Sequence, residues 1–143
     1  MNKQLQIKSL KEITLERYQE IVEIVSKIDR NDVEEELVTL APIFGYFHGW
    51  MSRAKFELDS SVNRLETYSS ALRTELRKES KKSVEAVKDE AGSREEVKEL
   101  NNEVVECEHI YNLLKGICQT MDTKKDMLIQ LSANRREEVK INR

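Results

Sequence analysis

Five basic side chains fall within ten residues: Arg73, Arg77, Lys78, Lys81 and Lys82. Only Glu75 and Glu79 oppose them, so this segment is net positive inside a chain of net charge −3. Cations clustered this way can contact the phosphates of a nucleic acid, because each neutralised phosphate releases bound counterions. They also suit a solvated helix end, where positive charge complements the negative end of the helix dipole. On one helix Arg73 and Arg77 lie a turn apart, as do Lys78 and Lys82, and ten residues span about 15 Å. Two or three phosphate contacts per chain are therefore within reach. Arg135 and Arg136 near the C-terminus form a second, smaller basic candidate.

Signals for other chemistries are weak. The four glycines stand apart at 45, 49, 92 and 116, so there is no glycine-rich phosphate loop, and no Gly-x-Ser-x-Gly or Cys-x-x-Cys occurs. Glu106-x-x-His109 has the spacing of a di-iron helix bundle, but that site needs a second copy, and Gly45 holds the matching position before His48. Cys107 and His109 are two apart and point in different directions on a helix. Cys107 and Cys118 are eleven apart, about 16 Å along a helix, too far for a mutual disulfide. They read as small buried hydrophobes in a reducing cytoplasm. Glu34, Glu35 and Glu36 favour the positive end of a helix rather than a metal. These readings point away from an enzyme, a metal site or a cofactor. Phe44, Tyr46, Phe47 and Trp50, with Gly45 and Gly49 between them, form either a core plug or an exposed platform for stacking bases.

The elements that must position these groups are helical. The 143 residues contain four glycines and one proline, too few for a sheet protein with many tight turns. Ala, Glu, Lys, Leu and Arg supply 65 of the 143, close to the half expected of long helices. Leu15, Tyr18, Val22, Val25 and Ile28 lie on one helical face, behind capping signals at Ser9 with Glu12 and at Thr14. Asp29 to Asp32 break that helix, and Asn31 with Glu34 starts a short second one carrying Val33, Leu37 and Leu40. Pro42 is expected to bar continuation and to open a long helix over about 43–79. Phe47, Met51, Ala54, Leu58, Ser61, Leu65, Tyr68 and Leu72 follow a heptad seam broadened by Val62 and Leu76. Residues 80–92 read as a polar connection, partly helical at most.

A second long helix follows a capping box at Ser93 and Glu96. Its seam runs through Val97, Leu100, Val104, Cys107, Tyr111, Leu114, Cys118 and Met121, is interrupted by Lys125, and resumes at Leu128 and Leu131. Ile110, Leu113 and Ile117 make a second apolar row, which must meet the N-terminal helices or another subunit. The expected fold is all-α: short N-terminal helices over 1–41 and a long antiparallel, coiled-coil-like hairpin over 42–139, its polar connection near 80–93. Hydrophobic residues are 38% of the chain, so the core is thin and self-association is expected. No stretch is long and apolar enough to span a membrane, and residues 1–6 lack an apolar signal core.

Several segments together resemble the UvsY family of phage recombination mediators. Leu40-Ala41-Pro42-Ile43-Phe44-Gly45-Tyr46-Phe47 precedes a long helix entered through Trp50, Ala54 and Lys55, and a basic hairpin tip follows. Most specific is the stretch from Tyr111-x-x-Leu114-Lys115 to Lys124 and on to Glu138, with Asp126-Met127-Leu128, Leu131-x-Ala133-Asn134 and Arg135-x-Glu137. The resemblance covers residues 37–138. It implies a non-enzymatic protein that binds single-stranded DNA, helps displace the single-strand-binding protein and loads a RecA-type recombinase. It also implies a ring-like homo-oligomer in the cytoplasm of a phage-infected or prophage-bearing host. The family's basic motif, Ala-Leu-basic-x-basic-Leu, corresponds to Ala71-Leu72-Arg73-Thr74-Glu75-Leu76. Arg73 fits, Glu75 departs, and Arg77 and Lys78 supply charge one turn on. The acidic total favours a different class, a helical scaffold or adaptor protein of a phage with no DNA binding.

Overall fold

The computed structural model describes residues 1–143 and is all-α. Two short 3-10 turns, Lys3–Leu5 and Leu10–Glu12, precede four helices: α1 (Leu15–Ser26), α2 (Val33–Glu79), α3 (Val84–Gly92) and α4 (Glu95–Ile141). Thr14 caps α1, its hydroxyl accepting from the Arg17 N–H at 3.2 Å. Ser9 makes no side-chain cap bond and opens only a 3-10 turn. Glu12 instead reaches back to the Lys8 N–H at 3.0 Å. Asp32, not Asn31, caps α2 by accepting from the Glu35 N–H at 3.3 Å.

Pro42 does not end a helix. It is the tenth residue of a continuous 47-residue α2. A proline inside a helix removes one N–H and crowds the carbonyl four residues back, here Val38. Both residues face water: Pro42 is exposed and Val38 is 68% exposed. The orphaned carbonyl can therefore be solvated, and the tolerance comes from tertiary packing. Val33, Leu40, Phe47, Ala54 and Ser61 are buried at seven-residue intervals on either side of the proline.

Residues 84–92 form α3 rather than a loop. The Ser83 hydroxyl accepts from the Ala86 N–H at 3.3 Å. Val87 and Ala91, four apart, are both buried against Leu76, with Leu72 alongside. Two apolar residues on one face suffice to seat a nine-residue helix.

The chain divides into two compact units. Unit 1 comprises Met1–Ser52 and Asn112–Arg143, and unit 2 comprises Arg53–Tyr111. Both long helices contribute to each, in antiparallel pairing as expected of a helical hairpin. In unit 1 Glu36 meets Lys124 and Phe44 meets Lys125. In unit 2 Lys55 lies over the Tyr111 ring and Arg64 pairs with Glu103. Unit 1 holds the large buried side chains, including Leu5, Ile21, Phe47, Leu114, Ile117, Met121 and Leu128. Unit 2 buries smaller ones: Ala54, Ser61, Leu76, Val87, Ala91 and Val97.

The N-terminal elements cover the second apolar row of α4. Leu113 and Ile117 are buried, and the Tyr18 ring of α1 packs on Gly116. Leu113 and Ile117 are therefore closed to another subunit, while Ile110, in unit 2, is half-buried. Lys125 does not interrupt a buried seam either. It is exposed, pairs with Asp122 at 3.1 Å, and sits 5.9 Å above the Phe44 ring. The buried lysine is Lys124, following Ile117 and Met121 and preceding Leu128. Leu114, Ile117, Met121, Lys124 and Leu128 keep the three-and-four spacing of one helical face, and Lys124 is enclosed there by the Lys27 carbonyl and Glu36.

Candidate nucleic-acid interface

In unit 2, α3 folds back beside the last turns of α2 and closes a groove of about 260 Å³. It is lined by Ser70, Arg73, Thr74 and Arg77 from α2 and by Val84 and Lys88 from α3. Three of the six are cations and none is a carboxylate.

Arg73 is half-buried and held in place. Its Nε donates to the Ser69 carbonyl at 3.2 Å and its Nη2 to the Ser70 hydroxyl at 3.4 Å. Ser70 accepts that bond and keeps its own O–H free to donate. The Thr74 hydroxyl donates to the Ser70 carbonyl at 2.9 Å. A guanidinium fixed this way loses little freedom on meeting an anion, and its fork geometry matches phosphate oxygens.

Of the five clustered cations, the groove brings together only Arg73 and Arg77. Lys78 and Lys81 are exposed and lie outside its lining. Lys82 is engaged by Glu90 at 2.6 Å, and Arg94 approaches the other oxygen of the same carboxylate at 3.9 Å. The hydrogen bond from Lys82 is the main cause holding the Glu90 carboxyl below its ordinary range. Lys88, Ser70 and Thr74 carry no signal in the heptad pattern. Lys88 joins the site because Val87, its neighbour, docks on Leu76. The Val84–Lys88 and Val87–Ala91 spacings were the only hint available.

Arg135 and Arg136 line a cleft of about 520 Å³ in unit 1 together with Lys140 and Arg143. Asp32 and Glu34 line it too. Arg135 donates to the Arg30 carbonyl and Arg136 to the Ser132 hydroxyl at 3.2 Å. Mixed charge and internal partners suit this cleft to an anion less well than the acid-free groove.

The seam residues of α4 divide by burial. Val104, Cys107, Ile110 and Tyr111 are half-buried, and Leu113, Leu114, Ile117 and Cys118 are buried. Burial, reinforced by Asp122, pushes the Cys118 thiol up to about 11. The aromatic group at the start of the 43–50 stretch is a core plug. Phe47 is fully buried. The Tyr46 hydroxyl accepts from the Ile7 N–H at 2.8 Å and donates to the Ile7 carbonyl at 3.0 Å. Phe44 packs edge-on against His48, with ring centroids 4.4 Å apart.

No helix is long and apolar enough to cross a membrane. No protein family, curated protein or solved structure matches this chain.

Proposed function

We propose that the protein binds single-stranded DNA and acts as an accessory factor in recombination, helping to load a RecA-type recombinase on strands held by the single-strand-binding protein. The observation that carries this reading is the acid-free basic groove of Arg73, Arg77 and Lys88. The resemblance of residues 111–138 to recombination mediators supplies the biological role. The mechanism is electrostatic. Each chain offers one basic groove to the strand's phosphates, and a ring of chains multiplies a weak contact by avidity.

Fluorescence anisotropy with labelled oligothymidylate, read across a salt series, tests this. Each phosphate neutralised on a single strand adds about 0.7 to the magnitude of the slope of log affinity against log salt. Arg73→Glu with Arg77→Glu should remove most of the binding and most of that slope while leaving helicity intact. Wild-type binding by the double variant would reject the groove as the site. The net charge of −3 favours a second reading, a helical scaffold or adaptor without DNA binding. Absence of any salt-sensitive strand binding would decide for it.

A further inference from the structure

We infer that the α2–α3 groove recognises a terminal phosphate, a doubly charged monoester, in preference to the singly charged phosphodiester inside a strand. The inference rests on the phosphate-binding reading of this groove.

The cations do not form a track. Lys82 is paired to Glu90, and Lys78 and Lys81 stand outside the groove. A strand running past would find one discrete site on each chain rather than a row. That site gathers three positive charges in about 260 Å³ with no carboxylate in its lining. An internal phosphodiester brings one negative charge and two free oxygens. A phosphate monoester brings close to two charges at neutral pH and three strong acceptor oxygens.

The donors match the larger ligand. Arg73 is oriented by Ser69 and Ser70, Ser70 retains a free O–H, and Arg77 and Lys88 bring charge from either helix. The groove also includes Val84, the first residue of α3, at the positive end of that helix's dipole. With a diester, one or more of these cations would lack an anionic partner. A dianionic phosphate occurs as the monoester at the 5′ end of a DNA strand and as free inorganic phosphate, and the two sources can be separated.

The test compares oligothymidylate labelled at its 3′ end and carrying either a 5′-phosphate or a 5′-hydroxyl. Binding is measured by anisotropy at pH 7.5 with the wild type and with Lys88→Gln. Thermal melting in inorganic phosphate, against chloride at equal ionic strength, is measured in parallel. The 5′-phosphate strand should bind about tenfold tighter, the worth of one further charged hydrogen bond. Lys88→Gln should reduce that preference to twofold or less, affinity for the 5′-phosphate strand falling more than affinity for the 5′-hydroxyl strand. Lys88 is exposed and glutamine forms helix as well as lysine, so α3 is retained. Arg77→Gln should weaken both strands, and its effect on the ratio between them provides a second reading.

Equal binding of the two strands would overturn end recognition and leave strand binding in place. If neither strand binds, but phosphate raises the melting temperature of the wild type and not of Lys88→Gln, the groove is a site for free phosphate, and terminal-phosphate recognition and strand binding both fall. Failure of all three ligands would overturn both.

Discussion

At Gly116 a Cβ would lie 3.0 Å from Cε2 and 3.1 Å from the hydroxyl oxygen of Tyr18. Glycine inside a helix costs about 1 kcal/mol relative to alanine, so close approach of the Tyr18 ring is what the position gains. Gly116→Ala should destabilise the protein by about 1 kcal/mol, with ring displacement outweighing the helix gain. In a Tyr18→Ala background the same change should instead stabilise by about 1 kcal/mol. Urea titration of the four proteins gives the coupling, and additivity would refute the contact. The two cysteines also differ by environment. With its thiol pushed up to about 11 by burial, Cys118 should resist alkylation at pH 8 until the protein unfolds. Cys107 is half-buried and should react first. Mass mapping after brief iodoacetamide treatment distinguishes them, and equal labelling would contradict the burial of Cys118.

At the scale of the elements, α2 shows what packing can override. Pro42 sits on a water-facing side of α2 while Leu40 and Phe47 are buried on either side of it in sequence. The penalty for a proline in a helix interior is about 3 kcal/mol relative to alanine. Part of it is recovered because proline restricts the unfolded chain by about 0.4–1 kcal/mol. Pro42→Ala should therefore stabilise the protein by about 2 kcal/mol with unchanged helicity by circular dichroism. A destabilised variant would mean that a bend at Pro42 is needed for unit 1 to pack. The short α3 lies at the other extreme. It buries only Val87 and Ala91 and is tied by Lys82 to Glu90 across the turn that precedes it. That short docking is what places Lys88 beside Arg77.

At the scale of the whole molecule, each unit has its own interior, and unit 1 contains a buried charge. Lys124 donates to the Lys27 carbonyl at 2.7 Å and pairs with Glu36 at 2.6 Å, its side chain only 10% exposed. This one ammonium joins the end of α1, the start of α2 and the middle of α4. A charge left buried without its partner costs about 3–5 kcal/mol. Glu36 is itself 22% exposed, so Glu36→Ala should cost about 3 kcal/mol, the lower end of that range. Lys124→Met should cost less, since no charge is stranded in the interior, although Glu36 loses its partner. Hydrogen exchange should show the loosening of Glu36→Ala at Lys27–Leu37 and around Lys124, with unit 2 little changed. Equal effects of the two variants would show that the ion pair contributes no more than its volume.

Periodicity and composition were enough for the all-α class, the two long helices, their antiparallel pairing and the cap at Thr14, because helix formation responds to side chains three and four residues apart; the cap expected of Ser93 on α4 is instead the C-cap of α3, its hydroxyl donating to the Glu90 carbonyl. They also marked the basic run Arg73, Arg77, Lys78, Lys81 and Lys82, of which the groove gathers the first two. Tertiary structure decided the rest. Pro42 remains helical because burial on both sides outweighs one lost hydrogen bond. Lys124 rather than Lys125 is buried because the end of α1 and the start of α2 meet α4 on that face. Lys88 reaches the groove because α3 folds back on Leu76. Each depends on which faces meet in space, and sequence spacing along one helix carries no record of that.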